Sequence, residues 1–444
     1  MIHTYELLGR RLALDVESGA IHSLDETAYG LLQRAVFPLA PACPEEYRAL
    51  APDADEAWAE LYTLQEAGLL DSHPADVPAP EKGPLKALCL HVSHDCNLRC
   101  GYCFAGTGHF GGQRSLMSPE TGRAAIDFLL AHSGGRRNLE IDFFGGEPLL
   151  ALDTVKKTVD YARAREKDAG KHFRFTLTTN GLLLDGETIA YLNETMDNLV
   201  LSADGRPETH DALRKTTDRK GSYAVVMPAY RALTADRRGS YFIRGTFTHR
   251  NPDFVEDLLH LADEGFASLS LEPVVLPGGH KLAITNEDVP VILAAYERLA
   301  AHMLAWQDDP AFTFFHFEVD LQQGPCVYKR IRGCGAGVEY AAVTPDGDLY
   351  PCHQFVGKEM YRLGSLREGI VRTDISDSFA ALNIRTKPDC AACWAKYYCS
   401  GGCVASNLTT EGALEKSDRI GCALERKRLE CAILLQTERL QKSG

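Results

Sequence analysis

The stretch His91-Val-Ser-His-Asp-Cys96-Asn-Leu-Arg-Cys100-Gly-Tyr-Cys103-Phe104 sets three cysteines at C-x3-C-x2-C spacing directly after a predicted strand, Ala87–Val92. Six such strands alternate with helical segments up to about residue 275, which predicts a parallel α/β sheet, open or curved into a partial barrel. In such folds the chemistry lies at the carboxyl ends of the strands. The sequence therefore predicts that these cysteines are metal ligands at the reactive edge of a sheet.

The predicted strands are short apolar runs, and the predicted helices carry apolar side chains at helical spacing. The strands are Ala87–Val92, Leu139–Phe144, Phe173–Thr178, Asn198–Ser202, Tyr241–Phe247 and Ser268–Val274. The helices are Pro119–Ala131, Asp153–Lys167, Glu187–Thr195 and Pro252–Glu264, followed by a long helix at Val289–Trp306. About the last 120 residues are rich in cysteine, glycine and turns, so we expect metal rather than a large apolar core to hold them.

Composition narrows the class of protein. The 444 residues carry 47 basic and 61 acidic side chains, a net charge of −14, which argues against a partner made of duplex nucleic acid. The apolar runs are too short for a membrane span and no signal peptide opens the chain, so we expect a cytoplasmic protein without a membrane partner. Because the cytosol keeps thiols reduced, the 14 cysteines are expected to bind metal rather than to form disulfides.

The first 80 residues are predicted to form a small acidic module. Residues 1–84 hold 15 acidic and 5 basic side chains, and the proline-rich stretch 71–84 is predicted to be a linker. Strand-like runs at Ile2–Leu8 and Arg11–Val16 precede a turn, a further short strand and two helices. This order suggests a winged-helix-like fold, and an accessory dimerisation domain remains the alternative.

A second set of cysteines lies near the C-terminus. Its seven members are Cys334, Cys352, Cys390, Cys393, Cys399, Cys403 and Cys422. Repeated C-x2-C spacing is typical of zinc ribbons, and His94 or His109 could complete a zinc site at the first triplet. Three thiolates on a 4Fe–4S cluster would instead leave one iron free for a cofactor. A non-catalytic zinc-ribbon binding protein is therefore one open hypothesis.

The motifs together resemble the radical S-adenosylmethionine (SAM) superfamily. After the second barrel strand comes Asp142-Phe-Phe-Gly145-Gly146-Glu147-Pro148, and later strands end in Thr178-Thr-Asn180-Gly and Ser202-Ala-Asp204-Gly, with Arg214 beyond. The resemblance implies a partial (β/α)6 barrel in which Cys96, Cys100 and Cys103 hold a catalytic 4Fe–4S cluster. The residues that it implies in SAM binding are Tyr102, Gly145, Gly146, Glu147, Pro148, Asn180, Ser202, Asp204 and Arg214. Paired glycines permit close backbone approach, and a guanidinium suits the SAM carboxylate.

The C-terminal cysteines resemble the SPASM extension of that superfamily. The resemblance implies two auxiliary 4Fe–4S clusters, and thus three clusters in all besides SAM. The outer one would be held by Cys390, Cys393, Cys399 and Cys422. The inner one would be held by Cys334, Cys352 and Cys403, with Cys326 as its fourth ligand or its fourth position open. The remaining cysteines, Cys43, Cys89 and Cys431, are predicted to be buried small apolar residues.

Longer segments resemble the maturases of SCIFF peptides, a six-cysteine ranthipeptide family. These are 89–111, 324–330 and 340–357. The resemblance implies a RiPP recognition element at 1–80 that binds the leader of a cysteine-rich precursor peptide, a radical SAM barrel at 85–280, a bridging helix and strand at 281–325, and a SPASM domain at 326–432. It implies Cys-to-carbon thioether crosslinking, with a low-potential electron donor such as a ferredoxin or flavodoxin. The alternative within the superfamily is an anaerobic sulfatase-maturing enzyme that forms formylglycine.

Overall fold

A computed structural model describes residues 1–443 except 75, 77, 79–80, 307–310 and 323–330. Its main feature is a long sheet in the described part of the chain, in the strand order β10-β9-β8-β7-β6-β5-β4-β11-β12-β13-β14. The strands of this sheet are β4 Ala87–Ser93, β5 Asn138–Gly145, β6 His172–Thr179, β7 Asn198–Ser202, β8 Ser240–Phe247, β9 Ser268–Pro273, β10 Thr313–Phe314, β11 Tyr340–Val343, β12 Asp348–Tyr350, β13 Gly364–Ser365 and β14 Gly369–Ile370. Strands β4 to β9 are the six predicted ones, and each pairs in parallel with its neighbour, which confirms the parallel sheet.

The helices connect these strands and complete the two ends of the chain. They are α1 Glu26–Leu32, α2 Glu45–Arg48, α3 Ala54–Glu66, α4 Pro119–His132, α5 Leu152–Ala169, α6 Gly186–Thr195, α7 Pro207–Leu213, α8 Tyr223–Ala235, α9 Phe254–Asp263, α10 Val289–Ala305, α11 Thr373–Ala381, α12 Pro388–Ala391, α13 Lys396–Cys399, α14 Val404–Glu411 and α15 Arg419–Ser443. Every helix predicted between the barrel strands is present, within two residues at each end. None of the helices in the described residues combines the length and the apolar composition that a membrane span requires.

Side chains alternate along the parallel strands between two environments. Leu88, Leu90 and Val92 on β4 are fully buried in the apolar core that the helices share. The alternate positions carry polar groups and form what we call the polar face, whose members are His91, Asp142, Thr176, Thr178, Ser202, Arg244 and Glu272. Because parallel neighbours are in register, these side chains share one side of the sheet, which the predicted chemistry requires.

The N-terminal residues form a separate antiparallel sheet of β1 Ile2–Leu7, β2 Arg10–Asp15 and β3 Ile21–Leu24, followed by α1, α2 and α3. Asp25 caps α1 by accepting the N–H of Ala28 at 2.7 Å. One face of the sheet packs on the module's own small core around Trp58. The other face, with Tyr5 and Leu12, joins the main apolar core of the molecule, so the module is firmly docked on the rest of the chain.

The C-terminal region departs from the sequence-based expectation. Strand β11 pairs in parallel with β4, so this region extends the barrel sheet. The 25-residue helix α15 was not predicted, and neither was α8. Residues Cys431–Leu435 of α15 are almost fully buried in the main core. The expectation that metal alone holds this region was therefore wrong, because apolar packing against α10 also holds it.

Candidate active site and cysteine clusters

The triplet loop begins where β4 ends and brings its three thiols near one another. The N–H of Cys103 donates to the carbonyl of Cys100 at 3.2 Å, and that of Leu98 donates to Cys96 Sγ at 3.4 Å. Burial raises the pKa of Cys96 to about 11 and that of Cys100 to about 12, and the neighbouring thiols act in the same direction. The described cysteines form no disulfide. A coordinated metal deprotonates such thiols outright, so the three sulfurs are suitable cluster ligands.

The arrangement of the thiols bears on the kind of metal site. Among the described residues, no three His, Cys, Asp or Glu side chains converge closely enough to hold a single metal ion. In an iron–sulfur cluster each thiolate binds a different iron, so its ligands lie farther apart than those of one ion. The triplet is therefore compatible with a cluster that Cys96, Cys100 and Cys103 would hold.

The Gly-Gly-Glu-Pro segment after β5 packs directly against the start of the triplet loop. The N–H of Gly146 donates to the Ser93 carbonyl at 2.7 Å, and that of Glu147 donates to the Asp95 carbonyl at 2.9 Å. A Cβ on Gly145 would lie 2.2 Å from the Ser93 oxygen, and one on Gly146 would lie 2.1 Å from the Asp95 oxygen. Only glycine allows this approach, so the pair fixes the segment to the cysteine loop.

The Glu147 carboxylate lies inside the wall of the site. It accepts hydrogen bonds from Leu149 N at 3.0 Å, Thr179 Oγ1 at 2.8 Å and Asn180 N at 2.8 Å. Burial raises its pKa to about 7, against the opposing effect of these donors. Glu147 thus ties the ends of β5 and β6 together, and Pro148 beside it begins a buried 3-10 turn. Its role towards a SAM ammonium stays a prediction.

Asn180 connects this wall to the triplet. Its Nδ2 lies 3.7 Å from Cys96 Sγ and donates to Asn97 Oδ1 at 2.7 Å. Hydrogen bonds to ligand sulfurs are one way in which a protein tunes the potential of an iron–sulfur cluster. The structure therefore places Asn180, which the resemblance implies in SAM binding, against the thiol of Cys96, a predicted cluster ligand.

A buried charged group lies beside Cys100. Asp204 is fully buried and accepts from the Tyr102 hydroxyl at 2.7 Å and from Thr246 N at 3.0 Å. Arg214 Nε lies 3.0 Å from Asp204 Oδ1, off the direction of its N–H, so the contact is an ion pair rather than a hydrogen bond. The Arg214 guanidinium lies 5.6 Å from the centre of the Tyr102 ring. Asp204 therefore orients Tyr102 and Arg214 together, and the charge of Arg214 lowers the pKa of Cys100 against the larger effect of burial.

The polar face supplies groups to which the sequence assigned no role. Ser202 is in register with Arg244, whose Nη2 lies 2.7 Å from Glu272 Oε1 on the next strand. Ser270 lies 3.2 Å from His316. The period-two alternation along β8 and β9 carried this signal, because every alternate residue there except Phe242 is polar. These side chains face the volume beside the predicted SAM residues.

The seven predicted SPASM cysteines separate into two groups of neighbours. In one group burial raises the pKa of Cys352 to about 12, and the neighbouring thiols Cys403 and Cys334 act in the same direction. Cys403 also raises the pKa of Cys334. In the other group Cys399 has Cys422 and Cys390 beside it, while Cys422 also has Cys393. The two groups of neighbours correspond to the sets predicted for the inner and outer clusters, and the binding of clusters by these cysteines stays a prediction.

The inner group adjoins the polar face of the barrel. Its hairpin, β11 and β12, extends the sheet from β4, and His353 follows the ligand Cys352 directly. The His353 ring lies 5.0 Å from that of Phe144 on β5 and 5.8 Å from that of Phe104, which follows Cys103. Aromatic rings therefore line the path between the triplet and the inner cysteines.

The structure describes three of the four remaining cysteines. Cys43, Cys89 and Cys431 are buried, which confirms their predicted place. Cys326 lies outside the described residues, so its place as a fourth inner ligand stays a prediction.

Comparison with known families agrees with this geometry. The radical SAM superfamily model matches residues 90–262, and the SPASM iron–sulfur cluster-binding domain model matches residues 334–394. The first region contains the triplet and the Gly-Gly-Glu-Pro segment. The second contains four of the seven cysteines just described.

Curated relatives include three enzymes of low identity. These are a radical SAM cyclopropyl synthase TigE from Paramaledivibacter caminithermalis (21% identity, 77% of this chain and 72% of TigE), a mycofactocin maturase MftC from Mycolicibacterium smegmatis (25%, 76% and 83%) and a cysteine-type anaerobic sulfatase-maturating enzyme from Clostridium perfringens (23%, 72% and 89%).

Solved structures share the fold. Native anSMEcpe with bound AdoMet aligns with a TM-score of 0.66 at 21% identity, over 80% of this chain and 99% of its own. Streptococcus suis SuiB bound to the precursor peptide SuiA aligns with a TM-score of 0.53 at 16% identity, over 94% and 98%.

Proposed function

Because the chain combines a radical SAM domain with a SPASM iron–sulfur domain, we propose that it matures a ribosomally made, cysteine-rich peptide by forming intramolecular Cys-to-carbon thioether crosslinks. The observation that carries this proposal is the N-terminal module, a β-β-β-α-α-α unit docked on the catalytic body. The alignment with SuiB covers more of this chain than the alignment with anSMEcpe does. This difference supports the proposal that the chain carries an additional unit that binds a peptide.

In this proposal the N-terminal module is a winged-helix-like leader-binding element. Strand β3 pairs with β2 on one side, and its other edge is an end of the sheet as described. An extended peptide can add to such an edge through main-chain hydrogen bonds. The surplus of acidic side chains in residues 1–84 favours a basic leader.

The barrel residues bind and orient the cofactor. The triplet would hold a 4Fe–4S cluster, and Tyr102, Gly145, Gly146, Glu147, Pro148, Asn180, Ser202, Asp204 and Arg214 would form the SAM site around it. In particular, the buried Arg214 is the cation suited to the SAM carboxylate, and Asp204 holds it in place. When bound, SAM and the clusters supply a radical that removes hydrogen from carbon and accept the electron that remains.

The protein's own contribution to crosslinking is to hold two peptide positions together. One S–H and one C–H bond break and one C–S bond forms, so each crosslink removes two hydrogen atoms from the peptide. The polar face and the aromatic rings of Phe104, Phe144 and His353 lie between the triplet and the inner cysteines. We propose that the acceptor residue and the peptide thiol meet there, with three 4Fe–4S clusters in the complete enzyme and a low-potential ferredoxin or flavodoxin as donor.

Mass spectrometry of a co-expressed cysteine-rich precursor tests the product. Crosslinking predicts the loss of one H2 per bond and fragments that stay joined through sulfur. Loss confined to one cysteine side chain would instead identify formylglycine formation, the second candidate, which the relative from Clostridium perfringens supports. A colourless protein that binds zinc would contradict both.

Hydrogen exchange of the full chain tests leader binding. Added synthetic leader should protect the amides of Ile21–Leu24 while those of β1 stay unchanged, because β1 lies at the other end of the small sheet. Unchanged exchange at β3 would contradict this mode of capture. Deletion of residues 1–84 is a poorer test, since Tyr5 and Leu12 belong to the main core.

A further inference from the structure

The N-terminal module touches the chain segment between two outer cysteines, Cys393 and Cys399. The His3 ring stacks on Trp394 with the centroids 3.9 Å apart and the planes 4° from parallel. The Glu17 carboxylate accepts from Lys396 Nζ at 2.6 Å and from the Tyr397 hydroxyl at 2.7 Å. Residues almost four hundred positions away therefore hold this ligand-bearing segment.

The Glu17 contact is buried on both sides. Its side chain is 3% exposed and that of Lys396 is 11% exposed. A buried carboxylate needs such partners, because an unpaired charge away from water is costly. The geometry of the Cys393–Cys399 segment is thus tied to the position of Glu17.

The same module also holds the helix that carries Cys422. His3 Nε2 lies 3.1 Å from Glu430 Oε1, and the Tyr5 hydroxyl donates to the Glu430 carbonyl at 3.2 Å. Glu430 pairs in turn with Lys427 at 2.8 Å. Cys422 lies at the start of this helix, α15. His3 therefore contacts both pieces of chain that bear outer cysteines, Trp394 on one side and Glu430 on the other.

We propose that His3 and Glu17 are positioning residues of the outer iron–sulfur site. They keep the Cys393–Cys399 segment and helix α15 at the separation that the four outer cysteines require. Residues outside the ligand set commonly fix ligand orientation in this way. The inference concerns the site rather than the peptide product, and it depends only on the outer cysteines holding iron.

The rate of iron release from the full-length, iron-loaded protein tests this inference. Anaerobic protein is mixed with a ferrous chelator, and Mössbauer spectra follow the clusters that remain. A Cys422→Ala variant identifies the fraction of iron that belongs to the outer site. We expect Glu17→Gln to release that fraction about tenfold faster or more, with the other iron unchanged. His3→Ala should act in the same direction without leaving a charge unpaired.

Arg10→Gln is the matched control. Arg10 lies on the same module and pairs with Glu438 of α15 at 2.7 Å, but its side chain is 51% exposed and its partner is far along the helix from Cys422. We expect wild-type release from this variant. Wild-type release from both Glu17→Gln and His3→Ala would overturn the proposal. So would equal acceleration of all the iron, since that would indicate general unfolding. Wild-type iron content in Cys422→Ala would show that this cysteine holds no iron, which would overturn the premise of the proposal.

Discussion

The barrel strands and the C-terminal cysteine region hold their ligands by different means. In the barrel, three cysteines lie on one loop, and the strands beneath it are joined by continuous parallel hydrogen bonding and a buried apolar face. In the C-terminal region the strands β12 to β14 have two or three residues each, and the cysteines of each group come from two or three separate stretches of the chain.

The difference shows how much of each site exists before metal binds. A loop on a packed sheet keeps its shape because the core beneath it is already stable. Ligands that bridge short, irregular segments gain much of their order from the metal, because closing those loops costs conformational entropy. We therefore expect the triplet loop to tolerate the loss of its cluster and the outer group to depend on it.

Removal of the triplet ligands should have the largest effect on chemistry and little effect on fold. The variant Cys96→Ala/Cys100→Ala/Cys103→Ala should lose reductive SAM cleavage completely and about four iron atoms per chain. Exchange protection of β4 to β9 should persist, since the strands do not need the cluster. Cys43→Ala, in the N-terminal module, should keep both activity and iron. Loss of protection throughout the sheet would break the contrast drawn above.

Removal of the outer ligands should disorder the region around them. The changed residues are Cys390, Cys393, Cys399 and Cys422, each replaced by serine. Amide exchange in residues 388–411 should accelerate by roughly a hundredfold or more, because metal binding contributes directly to the stability of such segments. Exchange in the barrel strands serves as the internal control. Equal protection with and without these cysteines would show that apolar packing alone holds the region.

Within the barrel, the buried charge pair should be the most sensitive point for stability. Asp204→Asn leaves Arg214 without its anion, which should lower the free energy of unfolding by about 4 kcal/mol. Urea denaturation measures this change. Asp253→Asn removes an exposed partner of Arg206 and should cost less than about 1 kcal/mol. Similar losses from the two variants would contradict the importance of burial at Asp204.

A smaller effect should appear as a pH dependence of the barrel. Burial, assisted by Glu140, raises the pKa of Asp142 from 3.8 to about 7. Above pH 5 the unfolded state therefore binds fewer protons here than the folded state, so stability falls as pH rises and levels off above pH 7. The change between pH 5 and 7 is about 2 kcal/mol. Asp142→Asn should remove that slope in denaturation series at several pH values, and the exposed Asp153→Asn should not. An unchanged slope in Asp142→Asn would contradict the shift.

The sequence predicted the regular part of the molecule well because local patterns specify it. Strand β7 and the start of α10 fall where the apolar runs placed them. It missed α15 because that helix is amphipathic only in relation to the several surfaces on which it packs: β1, α10 and the 3-10 turn Phe315–Phe317. The polar side chains that face the N-terminal module interrupt the apolar pattern of a helix whose middle is buried.

Residue type and spacing alone determined which cysteines are ligand candidates, which turn approaches the triplet, and that a parallel sheet carries both. Only the tertiary structure decided that Arg214 and Tyr102 share Asp204, and that His3 and Glu17 contact the segment that follows Cys393. The physical reason is the distance along the chain over which each effect acts. Periodicity and turn preference act between neighbours in the chain, whereas a buried charge finds its partner only after the core has brought distant segments together.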